Sequence, residues 1–163
     1  MIVRRKARMR RWLTIPVVAV LMVACGAPPP PPAPYRPVAD VTQLMQWILD
    51  PAADVVWGSV GTIIDKDGIH EFFPKTDEEW AAVHNAAAVV AESSNLLMMP
   101  SRAKDDTDWM EFSQGLADAA LLAMKAADAK DKEALFDAGG RIYAVCAACH
   151  QQYEMEGQEG LPR

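Results

Sequence analysis

Cys146-Ala147-Ala148-Cys149-His150, close to the C-terminal end of the chain, is the stretch from which everything else is read. On a helix, side chains at positions i, i+3 and i+4 lie over one another, so a single turn here would present two thiols and an imidazole on one face. C-x-x-C-H is the spacing by which a c-type haem is attached: the thiols add across two vinyl groups, and the adjacent histidine becomes an axial iron ligand. Three other readings compete for the same residues. Zinc usually takes four N or S ligands, and the one other cysteine, Cys25, is distant in sequence, which excludes a closed all-cysteine site. A thioredoxin-like redox pair calls for a βαβ setting, whereas the flanks here are alanine-rich and helical in pattern. The remaining reading is a chance motif with two buried thiols.

Working outward, the motif falls on a helix predicted from about Asp131 to Glu154, with Leu135, Gly139, Ile142, Cys146, Cys149, His150 and Tyr153 along one side. Gly139-Gly140 costs about 1 kcal/mol per glycine in an exposed helix. Such a cost fits a place where a flat macrocycle or another helix must approach the backbone, or else marks simple local weakness. The second helix is predicted from Thr76 as N-cap, paired with Glu79 in a capping box, with Trp80, Val83, Ala87, Val90, Ser94 and Leu97 on one face, ending before Pro100. The third begins around Asp106 to Asp108 and carries Trp109, Phe112, Leu116, Ala120, Ala123 and Ala127 at helical spacing.

The first helix is expected to open at Asp40, with Gln43 as its capping-box partner and Leu44, Met45, Ile48 and Leu49 as its apolar stripe. Asp50-Pro51 should interrupt it, because the residue before proline is biased away from helix, and with Asp50 as N-cap a helix should restart and reach about Trp57, giving a kinked or two-part helix. Residues 58–75 are the least helical; Ile63-Ile64, the turn Asp65-Lys66-Asp67-Gly68 and Ile69 to Phe73 read as a small hairpin or an ordered loop. The acidic turn lacks the remaining ligand positions of a calcium loop. Four helices with short connections predict an all-α fold, an antiparallel four-helix bundle over 39–163 with its haem on the C-terminal helix.

The first 24 residues stand apart. Met1 to Arg11 holds six basic residues and no acidic one, Trp12 to Ala24 is an apolar run, and Cys25 follows. This reads as a signal peptide over 1–24, too short for a comfortable membrane span. Leu21-Met22-Val23-Ala24-Cys25 resembles a bacterial lipobox, with Met22 where leucine is usual, and implies that Cys25 is lipidated and heads the mature chain. An ordinary cleaved signal peptide is the alternative. Residues 25–38 then form a linker: seven prolines between Ala27 and Pro37 favour extended polyproline II. Beyond residue 24, ten Lys and Arg remain against 22 Asp and Glu, a formal balance near −12. So acidic a domain argues against nucleic acid as a partner and for a redox partner with a basic surface.

A helical chain with C-x-x-C-H in its last helix resembles the class II c-type cytochromes, the cytochrome c-prime and cytochrome c-556 group. The resemblance covers about residues 40–156 and rests on Cys146-Ala147-Ala148-Cys149-His150-Gln151-Gln152-Tyr153, on the preceding Leu135-Phe136-Asp137-Ala138-Gly139, and on the tryptophans of the second and third helices. It implies one covalent haem c on Cys146 and Cys149 with His150 as proximal ligand. The family commonly carries a basic residue after the tyrosine, and here it is Glu154, which puts any proximal cation role in doubt. Class I cytochrome c matches poorly, since its ligating methionine follows the motif by dozens of residues and only Met155 lies downstream here.

The sixth iron position divides the functional readings. Met45 stands where the resemblance places the ligating methionine of the c-556 type; a methionine on an apolar stripe is otherwise core filler. With Met45 bound, the chain reads as a membrane-tethered periplasmic electron carrier of a bacterium. With the position open, it reads as a five-coordinate module that binds or senses NO or CO. His84, His70, Met98, Met99, Met110 and Met124 are weaker candidates, read as surface or packing residues. No Ser-His-Asp grouping or phosphate-binding glycine loop is present, so the chain is read as a non-enzyme; self-association as a homodimer stays open. The anchor is testable directly. In a bacterial host the wild type should fractionate with membranes and incorporate labelled palmitate, and Cys25→Ser should do neither; a wholly soluble wild type would mean ordinary signal cleavage.

Overall fold

In the computed structural model, which describes residues 34–158 with side chains through 153, the chain becomes helical just after Asp40. The expected signal peptide, Cys25 and five of the seven prolines of the linker lie outside the described residues; Pro34 to Val38 is exposed and without regular structure. The predicted capping box forms. The Asp40 carboxylate accepts the Gln43 backbone N–H at 2.8 Å, and the Gln43 side-chain oxygen accepts the Asp40 N–H at 3.0 Å.

At Asp50-Pro51, where a kinked or two-part helix is expected, the helix changes its winding, and Asp50 is not a non-helical N-cap. It runs on without a break as α1 (Val41–Leu44), a π-helical turn (Met45–Leu49) and α2 (Asp50–Trp57), and Asp50 itself is helical at φ −57°, ψ −51°. Proline has no N–H to give, and its ring crowds the carbonyl four residues back, which is that of Trp47. The wider turn meets that difficulty: the Asp50 N–H bonds to Met45 O, five residues back, and the chain passes Pro51 still helical.

After Trp57 comes an antiparallel hairpin, β1 (Gly61–Asp65) and β2 (Gly68–Phe72), with Ile64 opposite Ile69 and Asp65 opposite Gly68. Gly68 takes φ +132°, a conformation that strains any L side chain, and the Asp65 carboxylate accepts the Asp67 N–H at 2.8 Å to close the turn. The fold is therefore mostly helical with one small sheet rather than purely helical. The strands are exposed and add nothing to the core.

α3 (Asp77–Leu97) starts at Thr76, whose hydroxyl accepts the Glu79 N–H while Glu79 accepts the Thr76 N–H, and it buries the predicted face from Trp80 to Leu97. α4 (Asp108–Ala129) begins where expected, but Asp105 caps it: that carboxylate accepts the N–H groups of Thr107 and Trp109. Lys130 in the left-handed region ends it, and α5 (Lys132–Gln158) follows at once. α3 packs along α4, α4 along α5, and the first helical stretch lies against α3 and α5. Ala87, Ala120 and Ala123 are fully buried. Small side chains there allow α3 and α4 to approach closely. Leu44, Val56, Val90, Leu135 and Ile142 form the heart of the core, each contributing about 1.5–3 kcal/mol through burial.

One polar side chain holds the start of α1 in place. Arg102, 7% exposed, donates to Ala39 O through two N–H groups at 3.1 and 3.0 Å and to Leu96 O, near the end of α3, at 3.2 Å. Arg102→Leu leaves these carbonyls without their donor. It should lower stability by about 1–3 kcal/mol, read as a fall in the urea midpoint with an unchanged slope; an unchanged midpoint would show that water replaces the guanidinium without loss.

Candidate functional site

Three of the expected site residues come together with the fourth from across the chain. Cys146, Cys149 and His150 on α5 and Met45 in the π-turn line one cavity of about 280 Å³. Its other walls are mostly apolar: Leu49, Ala53 and Trp57 from the first helical stretch, Val90 and Leu97 from α3, Phe112 and Leu116 from α4, Ile142 and Val145 from α5, with Ser113 of α4, whose hydroxyl donates to Trp109 O, the one buried polar side chain. Asp50, Tyr143 and Ala147, all exposed, also border it and mark its open side. Cys25, the expected lipid site, lies outside the described residues.

Cys146, Cys149 and His150 are all half-buried, and neither thiol is in a disulfide. Burial pushes the Cys146 thiol up to about 11, with smaller contributions from the neighbouring charges of Cys149 and Asp50. Thiol–disulfide exchange calls for the reverse, a thiol whose pKa is depressed. Among the described residues no group of three or more His, Cys, Asp or Glu side chains converges to hold a bare metal ion. The donors instead line the wall of an apolar slot, two sulfurs and an imidazole on one helix face and a thioether on the helix opposite.

The turn that carries the motif is tied down on both sides. Two turns before Cys146, the Trp57 indole N–H donates to Gly139 O at 2.9 Å, and the Trp57 ring meets Tyr143 edge-on at 6.1 Å between centroids. The indole lies against Gly139, where a Cβ would stand in ordinary contact, 3.4 Å from Trp57 Cδ1. A helix side chain, then, is what approaches this glycine, while Gly140 faces open space and the structure gives no reason for it. One turn beyond Cys149, the Tyr153 hydroxyl donates to Asp105, and its ring packs edge-on against Trp109 (5.0 Å) and Phe112 (6.4 Å).

The remaining candidates lie elsewhere. His70 is in the hairpin beside Asp65 at 3.3 Å, and His84 faces Asp128 at 3.6 Å. Met99 Sδ accepts a bond from Arg102, while Met110 and Met124 pack against the core. The side chains of Glu154 and Met155 lie outside the described residues. Trp57, Tyr143 and Asp50 are the site residues that sequence reasoning missed. Trp57 carried a signal, for it continues the row Met45, Leu49, Ala53 at steps of four.

No family model, curated protein or solved structure matches the chain. The site is therefore read from its own residues.

Asp105 offers a pH test of the tie at Tyr153. The Tyr153 hydroxyl, then the N–H groups of Trp109 and Thr107, hold its carboxyl down at about 2, and Tyr153 is correspondingly pushed up, by loss of solvent first and by Asp105 second. A depressed carboxyl stabilises the fold above its unfolded pKa of about 3.9 and loses that contribution as pH falls through the folded value. Tyr153→Phe should therefore be less stable than wild type at pH 5, and the gap should narrow as pH approaches 2. A gap constant from pH 5 to 2 in urea melts would mean that the ring alone, and not the hydroxyl, makes the tie.

Proposed function

We propose that this chain is a c-type haem protein, a membrane-tethered periplasmic electron carrier of antiparallel four-helix-bundle form. The observation that carries the reading is that Met45 lines the same apolar cavity as Cys146, Cys149 and His150. The residues fit the group. A close-packed interior loses about 24 cal/mol per Å³ of cavity, so 280 Å³ is worth at most about 7 kcal/mol, an upper bound because one side is open. That approaches the whole stability of an ordinary domain. An apolar slot of this kind, edged by two thiols and an imidazole, suits a large flat apolar group with a metal at its centre.

When bound, haem supplies a one-electron iron couple. Cys146 and Cys149 hold its edge through two thioethers and fix its orientation, with the thiols set on one helix face by the x-x spacing. His150 donates an imidazole nitrogen from the same turn, and Met45 offers a thioether from the opposite wall. Leu49, Ala53, Val90 and Leu116 would keep water from a bound haem, and ligation by Met45 and His150 would raise its potential and favour electron transfer. The lipid on Cys25 and the proline run hold the domain near the membrane. The acidic surface suits a basic redox partner and repels nucleic acid.

Two measurements test the reading. Haem should stay with the denatured wild type through acid-acetone extraction, and Cys146→Ala with Cys149→Ala should abolish that retention; full loss of haem from the wild type rejects covalent attachment. The ferric wild type should be low-spin and the ferrous form slow to bind carbon monoxide. Met45→Ala should turn the protein high-spin and quick to bind carbon monoxide, at a lower potential. A substitution that costs about 2–5 kcal/mol of stability and leaves the spin state alone would make Met45 a packing residue, and a high-spin wild type would shift the assignment to gas binding.

A further inference from the structure

The first helical stretch carries two apolar rows at steps of four. Val41, Met45, Leu49, Ala53 and Trp57 form one, and its last four members line the cavity. Leu44, Ile48, Ala52 and Val56 form the other, in which Leu44 and Val56 are each 1% exposed. A regular α-helix cannot keep such rows in line. At about 100° per residue a step of four overshoots a full turn by about 40°, so from end to end the first row would drift by about 160° and the second by about 120°. A π-turn bonds i to i+5 and takes up one extra residue, which gives back about 100°. This turn spans Met45–Leu49, inside both rows, immediately before Pro51.

We propose that the π-turn is a register device that positions Met45. It keeps the thioether in the cavity row with Ala53 and Trp57 while Leu44 stays in the core. In an unbroken α-helix of the same length, Met45 would be rotated by about 100° away from that row, and Leu44 would swing toward solvent. Pro51 supports the turn by removing the N–H that an α-helix would give to Trp47 O, so Pro51 and the residues of the turn are positioning residues.

The device predicts an asymmetry that a plain helix does not. Gln46 and Trp47 are both exposed, Trp47 at 60%. Deleting either one, combined with Pro51→Ala so that a regular helix can form, removes the extra residue and leaves both rows in place. Inserting one alanine between them adds a second extra residue and turns Met45 and Leu44 off their faces. The spectroscopic part of the test rests on the proposed ligation by Met45; the thermal part does not. In the full-length haem-loaded protein, each deletion should keep the ferric spin state, the slow carbon monoxide binding and a Tm within a few degrees of wild type. The insertion should turn the protein high-spin, speed carbon monoxide binding and lower Tm by about 10 °C, the scale of losing one buried leucine. Deletions that lose spin state and Tm as fully as the insertion would overturn the proposal, because a plain helix suffers equally from either change. A wild type that is high-spin at the outset overturns ligation by Met45, and the Tm asymmetry then decides on the register device alone.

Discussion

An opening inside a packed helical core persists only if its walls cannot close on it, and here the wall that bears the motif is fixed at both ends. The bond from the Trp57 indole to Gly139 O joins α2 to α5 before the motif, and the bond from Tyr153 to Asp105 joins α5 to the start of α4 after it. Between those ties, Cys146, Cys149 and His150 have no freedom to follow a collapsing neighbour. The same two ties orient the turn. Each is a hydrogen bond from an aromatic side chain whose ring also packs edge-on against another aromatic, so orientation and separation are set by the same residues.

The distribution of small residues explains why the opening lies where it does. α3 and α4 meet through alanines that are wholly buried, and α4 continues along α5 through Ala119, Ala126 and Ala138, likewise buried. The first helical stretch presents larger groups, with Met45, Leu49 and Trp57 facing the motif, and these hold it away from α5 over the length of the cavity. Its tie to α5 comes only at its end, through Trp57. The cavity is a consequence of packing three helices tightly and a fourth through long side chains.

What could be read from the sequence was whatever a short window settles. Asp40 with Gln43 and Thr76 with Glu79 form capping boxes as their spacing predicts, and the buried faces of α3 and α4 follow from three- and four-residue periodicity. The hairpin was legible as one of two alternatives. The passage through Asp50-Pro51 was not, because a proline rule weighs two residues, while the outcome depended on seventeen: two apolar rows at a period of four, which no regular α-helix can bury. Asp105 escaped for a different reason. Three acidic residues, Asp105, Asp106 and Asp108, crowd the entrance to α4, and one of the contacts that single out Asp105 comes from Tyr153, far along the chain. Tyr143 was invisible as a site residue because a cavity wall is a tertiary property, and Trp57 showed only as the next step of the row Met45, Leu49, Ala53.

The chemistry available to the motif follows from where this packing leaves its thiols. A C-x-x-C pair that exchanges disulfides needs one thiol ionised near neutral pH and open to a partner. Cys146 is neither. Raised to about 11, chiefly by burial, it is ionised to about one part in ten thousand at pH 7. It borders an apolar slot rather than bulk water, so the partner it can meet is whatever enters that slot. Asp50, at the open side, pushes the same thiol further from ionisation. The slot that these thiols border also takes His150 from the same helix face and Met45 from the first helical stretch. Exchange with a soluble disulfide would require the turn to leave it, against the ties at Trp57 and Tyr153.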